Sequence, residues 1–304
     1  MKYILQGYTG KIGLWKYLII PAIFFGLMGL NFLAIVVLDL DVEHIIQQEI
    51  AKKGKNRFLI ESLFPFAIGL AILMLWVKYV HQQSITALTT SRKKVDWKRV
   101  IFSFGLWTVL TIVLLGIDYV VSPENYEWNF EFMPFVTLAA IAIVLIPIQT
   151  SFEEYFFRGY LMQGLGIAIG NKWIPLFLTS VVFGLLHLGN PEVAKLGNLS
   201  MVYYIGTGFF LGIVTLMDEG LELALGFHAA NNLITALLVT ADWTAFQTHS
   251  VFKDVSDPVL GFDVFIPIFV IFPIVLFVFS KKYGWSNWKD SLFGSVETLG
   301  NNEQ

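Results

Sequence analysis

Eight apolar stretches, each near the roughly 20 residues that cross a bilayer, run through this chain of 304 residues: 17–38, 58–79, 100–121, 133–165, 173–189, 200–217, 221–240 and 262–280. In hydrocarbon every backbone N–H and C=O must be satisfied internally, and apolar stretches of this length do so as helices. An all-α, polytopic membrane protein of about eight transmembrane helices is therefore expected, a single integral membrane domain over residues 1–304. Charged residues make up only 14% of the chain, against the quarter usual in soluble domains. The first run is longer than a signal-peptide core and has no small-residue cleavage site, so it reads as a retained helix. Pro175, Gly206, Gly208, Gly212 and Gly226 interrupt the later runs, and the connection at 218–220 is very short. A merged or re-entrant segment there stays open.

The net charge of −3 is too small to attract nucleic acid, so no nucleic-acid partner is expected. The absence of cysteine removes disulfides, thiolate metal sites and cysteine nucleophiles; any catalysis must use oxygen and nitrogen groups. Lys and Arg in short loops orient a polytopic chain. With both termini in the cytoplasm, fourteen of them fall inside and six outside. Lys52, Lys53, Lys55 and Arg57 run against that bias, whereas the acidic 122–132 loop supports it. Arg92, Lys93, Lys94, Lys98 and Arg99 read as topology signals, with anionic lipid headgroups as the alternative use.

Three polar stations interrupt the apolar spans. The first is Glu153-Glu154 followed by Arg158. A charged group in hydrocarbon is costly unless paired or wetted, so it marks function by default, although an interfacial cluster snorkelling to the surface is the plainer reading. Arg158 follows Glu154 by four residues and shares its helix face, while Glu153 lies about 100° around the helix. The spacing predicts a Glu154–Arg158 ion pair and a Glu153 free to act as a general base. Glu153 also lies about 18 Å from the end of its span, deep for an interface.

His187 closes Phe183-Gly-Leu-Leu-His187 near the end of the next span. The two spans form a hairpin turning near residue 169, which puts Glu153 and His187 at similar depth; a packed, carbonyl-bonded histidine is the alternative. The third station is His228-Ala-Ala-Asn-Asn232, where His228 and Asn232 project from one helix face and Asn231 could substitute. Imidazole plus carboxamide suits an oxyanion, or else interhelical hydrogen bonding. Together the stations suggest a central polar chamber. His44, His81 and His249 fall in loops or at span ends and read as solvated, Gln149 reads as a helix contact, and Gly208 with Gly212 as a close-packing pair.

Glu-Glu-x-x-x-Arg at 153–158, Phe-x-x-x-His at 183–187 and His-x-x-x-Asn at 228–232, in this order on separate spans, resemble the CPBP intramembrane proteases. That family unites type II CAAX prenyl proteases with bacteriocin-processing and abortive-infection proteins. The resemblance covers a protease-like core at about 130–250. It implies intramembrane hydrolysis of a peptide bond in a membrane-associated or leader-type substrate, lipidated in some relatives, inside a bacterial cytoplasmic membrane whose lipids surround the chain. By analogy Glu153 activates the water, His187 helps to position it, His228 and Asn232 stabilise the oxyanion, Glu154 and Arg158 support the geometry, and Phe183 lines the chamber. Glu153, His187 and His228 could also form a three-ligand Zn2+ site; water activation without an obligatory ion is favoured. A non-catalytic scaffold or regulator that retains the chamber is the alternative, and a proton-coupled transporter a remote one.

Overall fold

The computed structural model describes residues 2–259, 261 and 264–297. Among them the chain runs through α1 (Leu14–Val37), α2 (Val42–Lys53), α3 (Lys55–Leu75), α4 (Ile85–Thr89), α5 (Trp97–Val121), α6 (Phe132–Glu154), α7 (Met162–Ile169), α8 (Trp173–Leu185), α9 (Pro191–Leu196), α10 (Met201–Asp218), α11 (Glu222–Leu238), α12 (Phe272–Tyr283) and α13 (Trp288–Phe293). Five helical stretches among the described residues are long and apolar enough to cross a membrane: Trp15–Val37, Lys55–Val80, Trp97–Val121, Phe132–Ile169 and Asn198–Asp218. The expected spans at 173–189 and 221–240 are shorter helices. The last expected span is entered through a π-turn at Pro267–Ile271, and its residues 262 and 263 lie outside the described residues. The chain is an all-α integral membrane protein.

The longest stretch, Phe132–Ile169, is not one uniform helix. Pro147 sits inside a continuous α6; the helix departs from α geometry later, in a π-helical turn at Tyr155–Leu161. Such turns insert one extra residue and often fall at functional sites. Here the turn directly follows the two glutamates and contains Arg158. Its apolar side chains Phe156, Phe157 and Tyr160 are buried with Leu73, Val77, Phe152 and Phe183. This cluster clamps the segment against α3 and α8.

Helix packing centres on α11, which lies against α5 and α6, while α10 packs on α8 and α3 on α6. Glycines set the close approaches. A Cβ on Gly208 would strike the Ser180 carbonyl, and one on Gly226 would strike that of Val100. Gly208→Ala is accordingly expected to lower stability by about 1–3 kcal/mol through overpacking, despite alanine's better helix propensity; unfolding in detergent measures it.

Both ends of the described chain gather at one end of the bundle. Tyr3 is buried, with its hydroxyl 2.8 Å from the Leu88 carbonyl and 3.1 Å from that of Arg158, and Val296 N–H donates to the Gly170 carbonyl. At the opposite end a small sheet of order β1-β3-β2 joins β1 (Tyr126–Trp128), β2 (Val239–Thr240) and β3 (Phe252–Asp254). β3 runs antiparallel to β1, pairing Tyr126 with Asp254, and parallel to β2.

At the end that carries the termini two arginines find acidic partners and one sequence expectation, a solvated His81, fails. Arg92 and Arg99 are engaged: Arg92 donates to Asp218 at 3.1 Å and to Glu222 at 3.2 Å, and Arg99 pairs with Asp218. The α10–α11 turn brings these buried acids to the arginines. His81 is not solvated but 1% exposed, its ring 4.3 Å from that of Tyr17. Tyr160 donates its hydroxyl proton to the Lys16 carbonyl, so it accepts from His81 Nε2 at 3.2 Å. Burial, aided by Lys16, pushes this imidazole down to about 4 from its ordinary 6.5. The unfolded chain therefore takes up a proton that the folded chain refuses between those values. Stability is expected to fall as pH drops from about 6.5 towards 4 and to gain nothing from this group above 6.5. Unfolding midpoints at pH 7 and 5 should separate more for the wild type than for His81→Gln.

Candidate active site

The α6 register delivers the first station. Glu154 is fully buried, and its Oε1 accepts from Arg158 Nη1 at 3.0 Å, the i,i+4 pair that the spacing predicts. The guanidinium, also fully buried, donates Nη2–H to the Gly208 carbonyl at 3.1 Å and lies 4.2 Å from the centre of the Phe183 ring. The Gly208 approach that closes α10 on α8 thus also presents a carbonyl to Arg158.

Glu153, next along the helix, points elsewhere. Its Oε1 accepts from Gln149 Nε2 at 2.7 Å, and its Oε2 lies 3.4 Å from His228 Nε2. His228 on α11 stands between the two carboxylates, with Nδ1 2.8 Å from Glu154 Oε1. A neutral imidazole has one N–H and can donate to only one neighbour, whereas an imidazolium donates to both. Glu153, Glu154 and His228 are thus arranged to share and move a proton. Glu153 is not free of local partners, as the spacing alone suggested: both its oxygens face polar groups.

His187 occupies a 3-10 turn, Leu186–Gly189, that follows α8. Its Nδ1–H donates to the Phe183 carbonyl at 3.1 Å, which leaves Nε2 as the unprotonated nitrogen of a neutral ring. The ring stacks on Tyr204, centroids 4.1 Å apart. The Phe183 ring packs on both imidazoles, its centroid 5.4 Å from that of His187 and 5.9 Å from that of His228. Among the described residues no hydrogen bond joins His187 to Glu153; the His187 Nδ1–H goes to the Phe183 carbonyl and its ring to Tyr204 instead.

Asn232 donates Nδ2–H to Gln149 Oε1 at 3.2 Å and accepts from Asn231 Nδ2 at 3.0 Å. Asn231 turns its oxygen to Trp107 Nε1, 3.0 Å away. Of the two asparagines, then, Asn232 is on the Glu153 side. Gln149 is the residue that sequence reasoning passed over as a helix contact; the available signal was its position one turn before Glu153. Tyr204 gave no such signal.

The zinc ligand set does not assemble. Among the described residues no three His, Asp or Glu side chains are grouped to hold a metal ion. Glu153 and His228 are adjacent, but His187 is not grouped with them and has its Nδ1 bound to the Phe183 carbonyl. The donor arrangement does not fit a three-ligand centre.

Two carboxylates, an arginine, His228 and two carboxamides thus form one connected polar cluster inside an apolar helical bundle. The family model described as "Type II CAAX prenyl endopeptidase Rce1-like" matches residues 132–234, the stretch that supplies all three stations. The uncharacterized protein YyaK of Bacillus subtilis (strain 168) is 31% identical over 250 residues, covering 79% of this chain and 83% of its own length. No solved structure matches. The chain belongs to the Rce1-like CAAX protease family, the intramembrane proteases that its motifs resemble. Membership in a protease family supports endopeptidase activity within the membrane.

Proposed function

We propose that this protein is an intramembrane endopeptidase in which Glu153 is the general base. The observation that carries the reading is the placement of His228 between Glu153 and Glu154, with Arg158 behind Glu154, in a site shielded from bulk water. Glu153 Oε2 removes a proton from a water molecule as that water attacks the scissile carbonyl carbon. The resulting oxyanion is met by Nε2–H of His228, whose Nδ1 faces Glu154, and by the second amide hydrogen of Asn232, since only one is committed to Gln149. Glu153 then returns the proton to the departing amine, so that water is added across the peptide bond and no other reactant is needed. His187, neutral and with Nε2 unprotonated, accepts a hydrogen bond from the attacking water or the substrate backbone. Glu154 and Arg158 hold His228 in place. No step is routed through a metal.

The substrate class is a peptide or protein segment that reaches the site through the membrane, a leader-type or lipidated segment included. The chain lies in the cytoplasmic membrane of a bacterium with both termini in the cytoplasm, a placement supported by the fourteen-to-six distribution of Lys and Arg. Comparing membrane peptides from cells that express the wild type or Glu153→Gln tests the reading. Uncleaved substrate should accumulate only with the variant, and identical peptide profiles would refute it.

A further inference from the structure

Trp107 can only donate a hydrogen bond, and an ionised carboxylate can only accept one. Between these two fixed ends the structure holds three carboxamides in a row. Trp107 Nε1–H donates to Asn231 Oδ1 at 3.0 Å, Asn231 Nδ2–H to Asn232 Oδ1 at 3.0 Å, Asn232 Nδ2–H to Gln149 Oε1 at 3.2 Å, and Gln149 Nε2–H to Glu153 Oε1 at 2.7 Å. Because the first group is donor-only and the last acceptor-only, every amide has one permitted orientation, and flipping any of them would set two donors or two acceptors face to face. The far end is rigid: Trp107 is buried, its ring 4.2 Å from that of Phe227. The near end is buried too, since Gln149 is 4% exposed.

We infer that Gln149 is a positioning residue for the reaction, resting on the reading of Glu153 as the base. Its amide pins Glu153 Oε1, which leaves Oε2 as the oxygen that faces His228 and takes the proton. Its carbonyl fixes the Asn232 amide, so the base on α6 and the oxyanion donor on α11 are set relative to each other through one side chain. The chain that ends at Trp107 anchors that distance to α5.

The test uses full-length protein in detergent and a quenched synthetic peptide that copies a cleavage made by wild-type cells and not by Glu153→Gln cells. Gln149→Met keeps length and apolar packing but removes both hydrogen bonds. It should lower kcat by about 10- to 100-fold, the cost of roughly an ångström of misplacement, with KM within about twofold and the unfolding midpoint near that of the wild type. Gln149→Glu keeps the acceptor for Asn232 but sets a carboxylate against Glu153, and should lower kcat at least as far. Trp107→Phe, which cuts the chain at its far end, should lower kcat about two- to fivefold with KM unchanged. A Gln149→Met enzyme with wild-type kcat, or one whose KM rises while kcat holds, overturns the inference while Glu153→Gln remains inactive. If Glu153→Gln itself cleaves as well as the wild type, the functional reading falls and this inference with it.

Discussion

Glu153→Gln is expected to fold as the wild type does and to cleave at least about 10³-fold more slowly. The substitution preserves shape, and the new side-chain oxygen still accepts from Gln149 Nε2, which lies 2.7 Å from Glu153 Oε1. What disappears is the basic oxygen that faces His228 at 3.4 Å. An amide nitrogen there cannot take a proton from water, so the loss should appear in kcat and leave KM and the unfolding midpoint nearly unchanged. Glu153→Asp retracts the carboxylate by one methylene and should retain a small fraction of activity. Glu154→Gln separates the roles of the adjacent acids. Glu154 Oε1 is already occupied by Arg158 and His228, so its loss should act mainly through stability and through the placement of His228. A Glu153→Gln enzyme with wild-type kcat would move the base elsewhere.

What could be read from the sequence was whatever depends on spacing within one helix. The four-residue interval between Glu154 and Arg158 fixes their shared face, and the ion pair forms as that geometry requires. Span length similarly gave the all-α membrane fold. Contacts across a helical hairpin were not legible. The hairpin count sets His187 opposite Glu153, yet its Nδ1–H donates to the Phe183 carbonyl and its ring stacks on Tyr204. Gln149 was invisible for a different reason: a carboxamide in an apolar helix looks the same whether it faces a neighbouring helix or a catalytic side chain. Long-range pairing explains the remaining differences. Arg92 looked like a loop charge because its partners, Asp218 and Glu222, lie 126 and 130 positions away. His81 looked solvated because the Tyr17 side chain that covers it comes from another span.

Arg158→Met is the substitution expected to harm folding most, by about 3–5 kcal/mol. The guanidinium and the Glu154 carboxylate are both fully buried, and methionine removes the cation while leaving the anion in place. Among the described residues His228 Nδ1, at 2.8 Å, would be the one hydrogen-bond donor left to Glu154, and the Gly208 carbonyl would lose its Arg158 donor. The contact with the face of Phe183 would go as well. Arg158→Lys should recover only part of the loss, because a single ammonium cannot reach both Glu154 and Gly208 as the planar fork does. The decisive comparison is a double-mutant cycle. In Glu154→Gln/Arg158→Met both charges are gone, so the penalty of a lone buried carboxylate disappears, and the double variant should unfold at a higher denaturant concentration than Arg158→Met alone. Cleavage should not return with stability, since the neutral carboxamide at position 154 accepts more weakly from His228 than the carboxylate does and, without Arg158, is no longer held towards its ring. Equal stability of the Arg158→Met and wild-type proteins would show that the pair does not carry the fold, and the role of Arg158 would then lie in the reaction alone.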